Sequence, residues 1–148
     1  GLEIHSNTFG WLGYPAIRIY GGGSWGPLTD VVIRNNIFVD SGIDIETDDP
    51  GTIDSDYNLY FRTDDEQTTS AQPWRNEGVH SRVDTDPLFS DYRRHEAWDF
   101  RLLPTSPAID GGDPSLASMV TLPDGFYDLD GRSRPSGEGY DLGAYEAQ

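Results

Sequence analysis

The sequence predicts an all-β fold, a solenoid of stacked parallel strands, from three observations. "LEIHSNTF" (2–9) and "VVIRNNIF" (31–38) align without gaps, setting Leu2 on Val31, Ile4 on Ile33, Asn7 on Asn36 and Phe9 on Phe38. "IDSDYNLY" (53–60) repeats the line, with Asn58 on Asn36 and Tyr60 on Phe38. A second element recurs between these: "AIRIYGGG" (16–23) matches "GIDIETDD" (42–49), with Ile17 and Ile19 over Ile43 and Ile45. Each repeat therefore holds two short alternating strands separated by Gly, Asp or Pro turns. Stacking one repeat on the next is what buries their apolar faces.

Composition agrees. The 148 residues suffice for one domain with a core, and only 35% are hydrophobic, with 17 Gly, 10 Pro and one Met, a β-rich and loop-rich balance. The 26 acidic and 10 basic residues leave a formal net charge of −16, which argues against nucleic acid and an anionic membrane surface as partners. It suits divalent cations. There are no cysteines, so neither disulfides nor thiolate chemistry arise. No apolar stretch reaches the length of a membrane span, and no signal peptide is visible. Gly1 enters a strand directly, so further polypeptide is expected before it.

Residues 1–62 are expected to form the coils. In "VVIRNNIFVDSG" (31–42) strict alternation places Asn35 on the face of Ile33, and a buried amide is costly unless bonded. Asn7, Asn36 and Asn58 lie 29 and then 22 residues apart. In strands about 4.8 Å apart such asparagines can bond one another and the turn backbone, a structural role. A leucine-rich repeat also fits "LEIHSNTF", but the second β-pattern of each repeat stands where that fold often puts a helix.

Residues 63–85 read as a polar loop or excursion, and residues 86–148 as a capping segment of the same domain. Leu88 and Phe89, then Phe100, Leu102 and Leu103, then Ala108 and Ile109, are short apolar clusters punctuated by Pro104 and Pro107. Here the chain resembles a known family. "SDYNLYF" (55–61), "DPLF" (86–89), "DFRLLPTSPAIDGGD" (99–113), "DLDGRSRP" (128–135) and "DLGAYE" (141–146) are similar to the C-terminal end of secreted right-handed parallel β-helix proteins. These are the pectate-lyase-like superfamily, including choice-of-anchor Q domain proteins. The resemblance implies a right-handed parallel β-helix whose C-terminal end is closed by the capping segment. It also implies a secreted or cell-surface location and a polysaccharide partner. It does not carry an activity, since such tails occur on lyases, hydrolases, epimerases and proteins without known activity. The other end, at Gly1–Phe9, is uncapped, and is expected to pair with further coils or a neighbouring chain.

Alternation puts His5, Arg34 and Asp56 in one outward column, flanked by Glu3, Val32 and Asp54. Arg can grip a uronate carboxylate and His or Asp can act as acid or base. The simpler reading is a cross-strand ion pair on a solvated face. Arg18 over Asp44 is a surface ladder pair. Asp44, Glu46, Asp48 and Asp49 can gather Ca²⁺ or form a solvated acidic turn. Asp128 and Asp130 resemble a fragment of a Ca²⁺ loop, but without the remaining ligands they fit Asx-turns with Arg132 and Arg134 as counter-ions. No cofactor is required by any of these motifs. Trp11, Tyr14, Tyr20 and Trp25 surround "YGGGSWGP", either as a sugar-stacking platform or as side packing. The triple glycine lacks the ending of a phosphate loop. His80 and His95 have no zinc-spaced partners. Two functions follow: part of a secreted protein that binds or processes acidic polysaccharide, or a non-catalytic structural solenoid that stacks on itself. Catalysis within these 148 residues is not the favoured expectation, although a longer parent can be a lyase or glycoside hydrolase.

Overall fold

The computed structural model describes residues 1–10, 15–21, 24, 26–47, 52–63, 76–93, 99–120 and 125–147, the side chains of Asp44, Ile45 and Thr47 excepted. Its strands are β1 (Leu2–His5), β2 (Thr8–Gly10), β3 (Ile17–Gly21), β4 (Val31–Arg34), β5 (Ile37–Val39), β6 (Ile43–Thr47), β7 (Ile53–Asp56), β8 (Leu59–Phe61), β9 (Arg82–Val83), β10 (Phe89–Asp91) and β11 (Asp99–Leu102). The single described helix, α1, spans Leu116–Met119. The fold is all-β at this level, with parallel pairing in three sheets.

From β1 to β8, successive strands enter different sheets. The first sheet runs β1-β4-β7, the second β2-β5-β8-β9 and the third β3-β6. The register is that of the sequence repeats: Ile4 on Ile33 on Ser55, Phe9 on Phe38 on Tyr60, Ile17 on Ile43. A further pair, β10-β11, is antiparallel.

The corner between the first and second sheets explains the paired asparagines. Ser6, Asn35 and Tyr57 occupy equivalent positions with φ of 56°, 57° and 54°. This left-handed conformation is sterically unfavourable for a residue with a Cβ, and its recurrence marks one turn used three times. It also interrupts the alternation. Asn35 is therefore not the inward partner of Ile33 that strict alternation required. It is buried on the outer side, where its Oδ1 accepts from Asp113 N (2.8 Å) and its carbonyl accepts from Gly143 N (2.8 Å).

The next residue turns inward. Asn7 N and Nδ2 donate to Asn36 Oδ1 (3.1 and 3.2 Å), and Asn36 N and Nδ2 donate to Asn58 Oδ1 (3.0 Å each). The side chains also donate back to the carbonyls of Ile4 and Ile33. Beside this ladder Phe9, Phe38 and Tyr60 stack with ring centroids 5.0 and 4.9 Å apart, together with Ile17, Ile33 and Ile43.

The ladder ends on a carboxylate. Asn58 N donates to Ser81 Oγ (2.8 Å), and Asn58 Nδ2 to Glu77 Oε1 (2.8 Å). Glu77 also accepts from Ser81 Oγ, Ser55 Oγ and Tyr60 OH. Burial, then the neighbouring Glu77 charge, pushes the Tyr60 hydroxyl well above its ordinary value. Ser81 stands where the next asparagine would, and β9 extends the second sheet, pairing Arg82 with Leu59. The stretch expected as a polar excursion thus contributes a strand. Its backbone register is that of a repeat, but its side chains lack the apolar pattern.

The segment 86–148 packs against the sheets. It runs back along the sides of the sheets. Phe89, Ala108 and Leu142 cover the outward Ile37, Val39 and Leu59 of the second sheet. Leu116, Val120 and Tyr140 form a smaller cluster with Val32 on the outside of the first. The tail reaches β2, where Ala144 N donates to Thr8 Oγ1 (3.0 Å).

Candidate functional site: the outer face of the third sheet

A strand pair presents two faces, and three sheets present three outward ones. On the first sheet His5, Arg34 and Asp56 stand in register, but they are engaged by other parts of the chain. The His5 ring meets Phe126 edge-on at 5.6 Å. Burial pulls the His5 pKa below its ordinary value. Arg34, with 11% of its side chain exposed, bridges Asp54 (2.6 Å) and the buried Asp113 (2.5 Å). Its burial is outweighed by these two carboxylates, which raise its pKa. Asp56 contacts His80 Nδ1 (2.7 Å) and accepts from the amides of Tyr57 and His80. Burial opposes ionisation of Asp56, but these hydrogen bonds prevail and its pKa is lowered. Arg34 and Asp54 form the expected cross-strand ion pair, but on a covered face: His5 and Arg34 meet the tail at Phe126 and Asp113, and Asp56 meets His80.

The acidic pair of the tail is similarly committed. Asp128 Oδ1 accepts from Asp130 N (2.9 Å) and Arg132 N (2.7 Å), and Oδ2 from Glu146 N (3.0 Å). Asp130 is gripped in a bidentate way by Arg101, at 2.8 Å on both oxygens, and lies 3.3 Å from Arg132. Arg134 is not a counter-ion of this loop by contact. It pairs with Glu146 at 2.9 Å inside the tail, and both side chains are almost fully buried. Burial lowers the Arg134 pKa and raises those of Glu146 and Asp141. Among the described residues no group of three or more His, Asp or Glu side chains is placed to hold a metal ion. Asp48 and Asp49 lie outside the described residues, as does the side chain of Asp44. Glu46 is exposed.

The third sheet is different. Ile17 points inward to the core. Arg18 and Tyr20 point outward, aligned with Asp44 and Glu46 on β6. Tyr20 is 60% exposed, and the Arg18 guanidinium lies 5.8 Å from its ring centroid. Among the described residues no apolar cluster covers this face. It offers a π surface with a cation beside it and the exposed Glu46 one strand away. That is chemistry for a ring with an apolar face and charged or hydroxyl edges. Trp11, Tyr14 and Trp25, expected alongside Tyr20, lie outside the described residues, as does His95.

Sequence reading missed Glu77, Ser81 and Asp113. Ser81 had a findable signal, because it precedes Arg82 and Val83 at the spacing at which Asn58 precedes Leu59 and Tyr60. Asp113 had none, since its partner Arg34 is 79 residues away. No protein-family model, curated protein or solved structure matches this chain. Among the described residues no helix is long and apolar enough to cross a membrane.

Proposed function

We propose that this chain is the C-terminal part of a secreted right-handed parallel β-helix and binds acidic polysaccharide on the outer face of β3-β6. Supporting the β-helix reading are the three parallel sheets in one register and the asparagine and aromatic ladders. The observation that carries the binding site is Tyr20, exposed beside Arg18 on an outward face that no apolar cluster covers among the described residues. The reading is of binding and not catalysis, because His5, Arg34 and Asp56 are engaged by Phe126, Asp54 with Asp113, and His80. The alternative, end-to-end self-stacking, is opposed at one end. The Asn58 donors that would continue the ladder are given to Ser81 and Glu77.

A net charge of −16 repels a polyanion over a Debye length of about 30 Å at 0.01 M salt and about 8 Å at 0.15 M. Binding of polygalacturonate is therefore expected to strengthen as salt rises through this range, and Arg18→Gln to weaken it at the higher salt. Calorimetric titration of both proteins tests this. No binding at either salt concentration would overturn it.

A further inference from the structure

We propose that the outer edge of β1 and β2 docks a strand of another polypeptide in which asparagine stands two residues before an aromatic ring. The inference rests on the stacked-strand part of the reading above and is independent of the polysaccharide face.

β1 and β2 are the end strands of the first and second sheets. Their residues repeat those of β4 and β5, but their burial differs. Ile33, Asn36 and Phe38 are fully buried, with a repeat stacked on either side. In the same register Ile4 and Phe9 are half-buried, Asn7 is exposed and Leu2 is 44% exposed. A sheet edge of this kind is a template for strand addition.

The two ladders state what the edge selects. Asn36 Oδ1 accepts from N and Nδ2 of Asn7, and Asn58 Oδ1 accepts from N and Nδ2 of Asn36. Asn7 Oδ1 holds the same place in its repeat and receives no donor among the described residues. Its complement is a residue that offers a backbone N–H and a side-chain N–H together, as asparagine does at this corner and aspartate or serine does not. Two residues on, Phe38 is stacked on both faces, by Phe9 at 5.0 Å and by Tyr60 at 4.9 Å. Phe9 stacks on Phe38 alone among the described residues. An aromatic ring in register would meet its other face. Asparagine followed by an aromatic two positions later completes both rows at once, at the ordinary strand spacing of about 4.8 Å.

A second copy stacked head to tail does not supply this strand. The donors it would bring to Asn7 Oδ1 are N and Nδ2 of its Asn58, and these are given to Ser81 Oγ, Ile33 O and Glu77 Oε1. The net charge of −16 also repels another copy.

The test is calorimetry and amide NMR of the full chain titrated with a synthetic peptide of residues 31–39, acetylated and amidated, whose Asn36 and Phe38 have the required spacing. The expected result is saturable binding with Kd of about 0.1 mM, with shifts concentrated in Leu2–Gly10. Asn36→Leu in the peptide keeps the side-chain volume and removes its N–H donor, and should weaken binding about tenfold, as should Phe38→Ala in the peptide. The protein is unchanged in these comparisons, so no folding defect can imitate the result. Tyr20→Ala in the chain should bind the peptide as the native chain does, so failure here leaves the β3-β6 reading standing. Absence of peptide binding, shifts away from Leu2–Gly10, or equal binding by the Asn36→Leu peptide would overturn the assignment. Dimerisation of the chain through this edge, followed by sedimentation equilibrium without peptide, would likewise overturn it by making a second copy the occupant.

Discussion

On the first sheet the outward residues Val32 and Arg34 lie under the C-terminal segment, whereas on the third Arg18 and Tyr20 face solvent. Both faces carry an arginine aligned with an aspartate on the next strand, Arg34 with Asp56 and Arg18 with Asp44. Register is thus alike, and what separates the two is the tail. Arg34 acquires Asp113 and becomes a tie between sheet and tail. Tyr20 stays 60% exposed. A repeat fixes which side chains point outward, but only long-range packing decides which of them remain available to a ligand.

The comparison is broken most severely by releasing the tail. Glu146→Ala leaves Arg134 buried without its carboxylate, and removing one partner of a buried pair costs about 3–5 kcal/mol. Denaturant unfolding should show a loss of that size. Arg34→Met acts on the covered face itself. It strands Asp113, of which 2% of the side chain is exposed, while Asp54 remains largely solvated, so about 2–3 kcal/mol is expected by the same measurement.

Acid gives a smaller effect with a definite sign. The folded pKa of His5 lies below its unfolded value of about 6.5. Its contribution is present above that value and is lost as pH falls through the folded pKa. Asp56 and Asp128 act in the same direction at lower pH, being lowered from about 3.9. Asp141 and Glu146, raised by burial, act oppositely, their contribution being lost as pH rises through their folded values. Comparing melting temperatures of the native chain and His5→Phe from pH 7 to pH 5 isolates one group. The native chain should lose more stability than the variant, and parallel curves would show that His5 is not coupled to folding. Tyr20→Ala should be the mildest change to stability, within about 0.5 kcal/mol, because an exposed side chain is removed.

Much of the strand region was legible in the sequence because its information is local and periodic. The gapless match of Leu2–Phe9 to Val31–Phe38 already contains the register and the row of Asn7, Asn36 and Asn58. Asn35 was misplaced because alternation assumes extended backbone, and one left-handed residue ends it. Glu77 was not legible, since a single carboxylate satisfying Asn58, Ser55, Ser81 and Tyr60 has no period. Tyr20 was legible as one of the aromatics beside the glycine-rich loop, either a platform or side packing. Its availability was not, because that depends on where Phe89, Leu116 and Leu142 pack, from segments more than 60 residues distant in sequence.

The central claim is that the uncovered face of β3-β6 is the polysaccharide site. Its most direct test is titration of polygalacturonate, at 0.15 M salt, into the native chain, Tyr20→Ala and Arg34→Met, with melting followed in parallel. The account predicts that Tyr20→Ala loses about tenfold or more in affinity while melting as the native chain does. Arg34→Met should melt lower and bind unchanged at a temperature where it remains folded. Undiminished binding by Tyr20→Ala, or loss of binding in folded Arg34→Met alone, would place the site on the covered face and contradict the account.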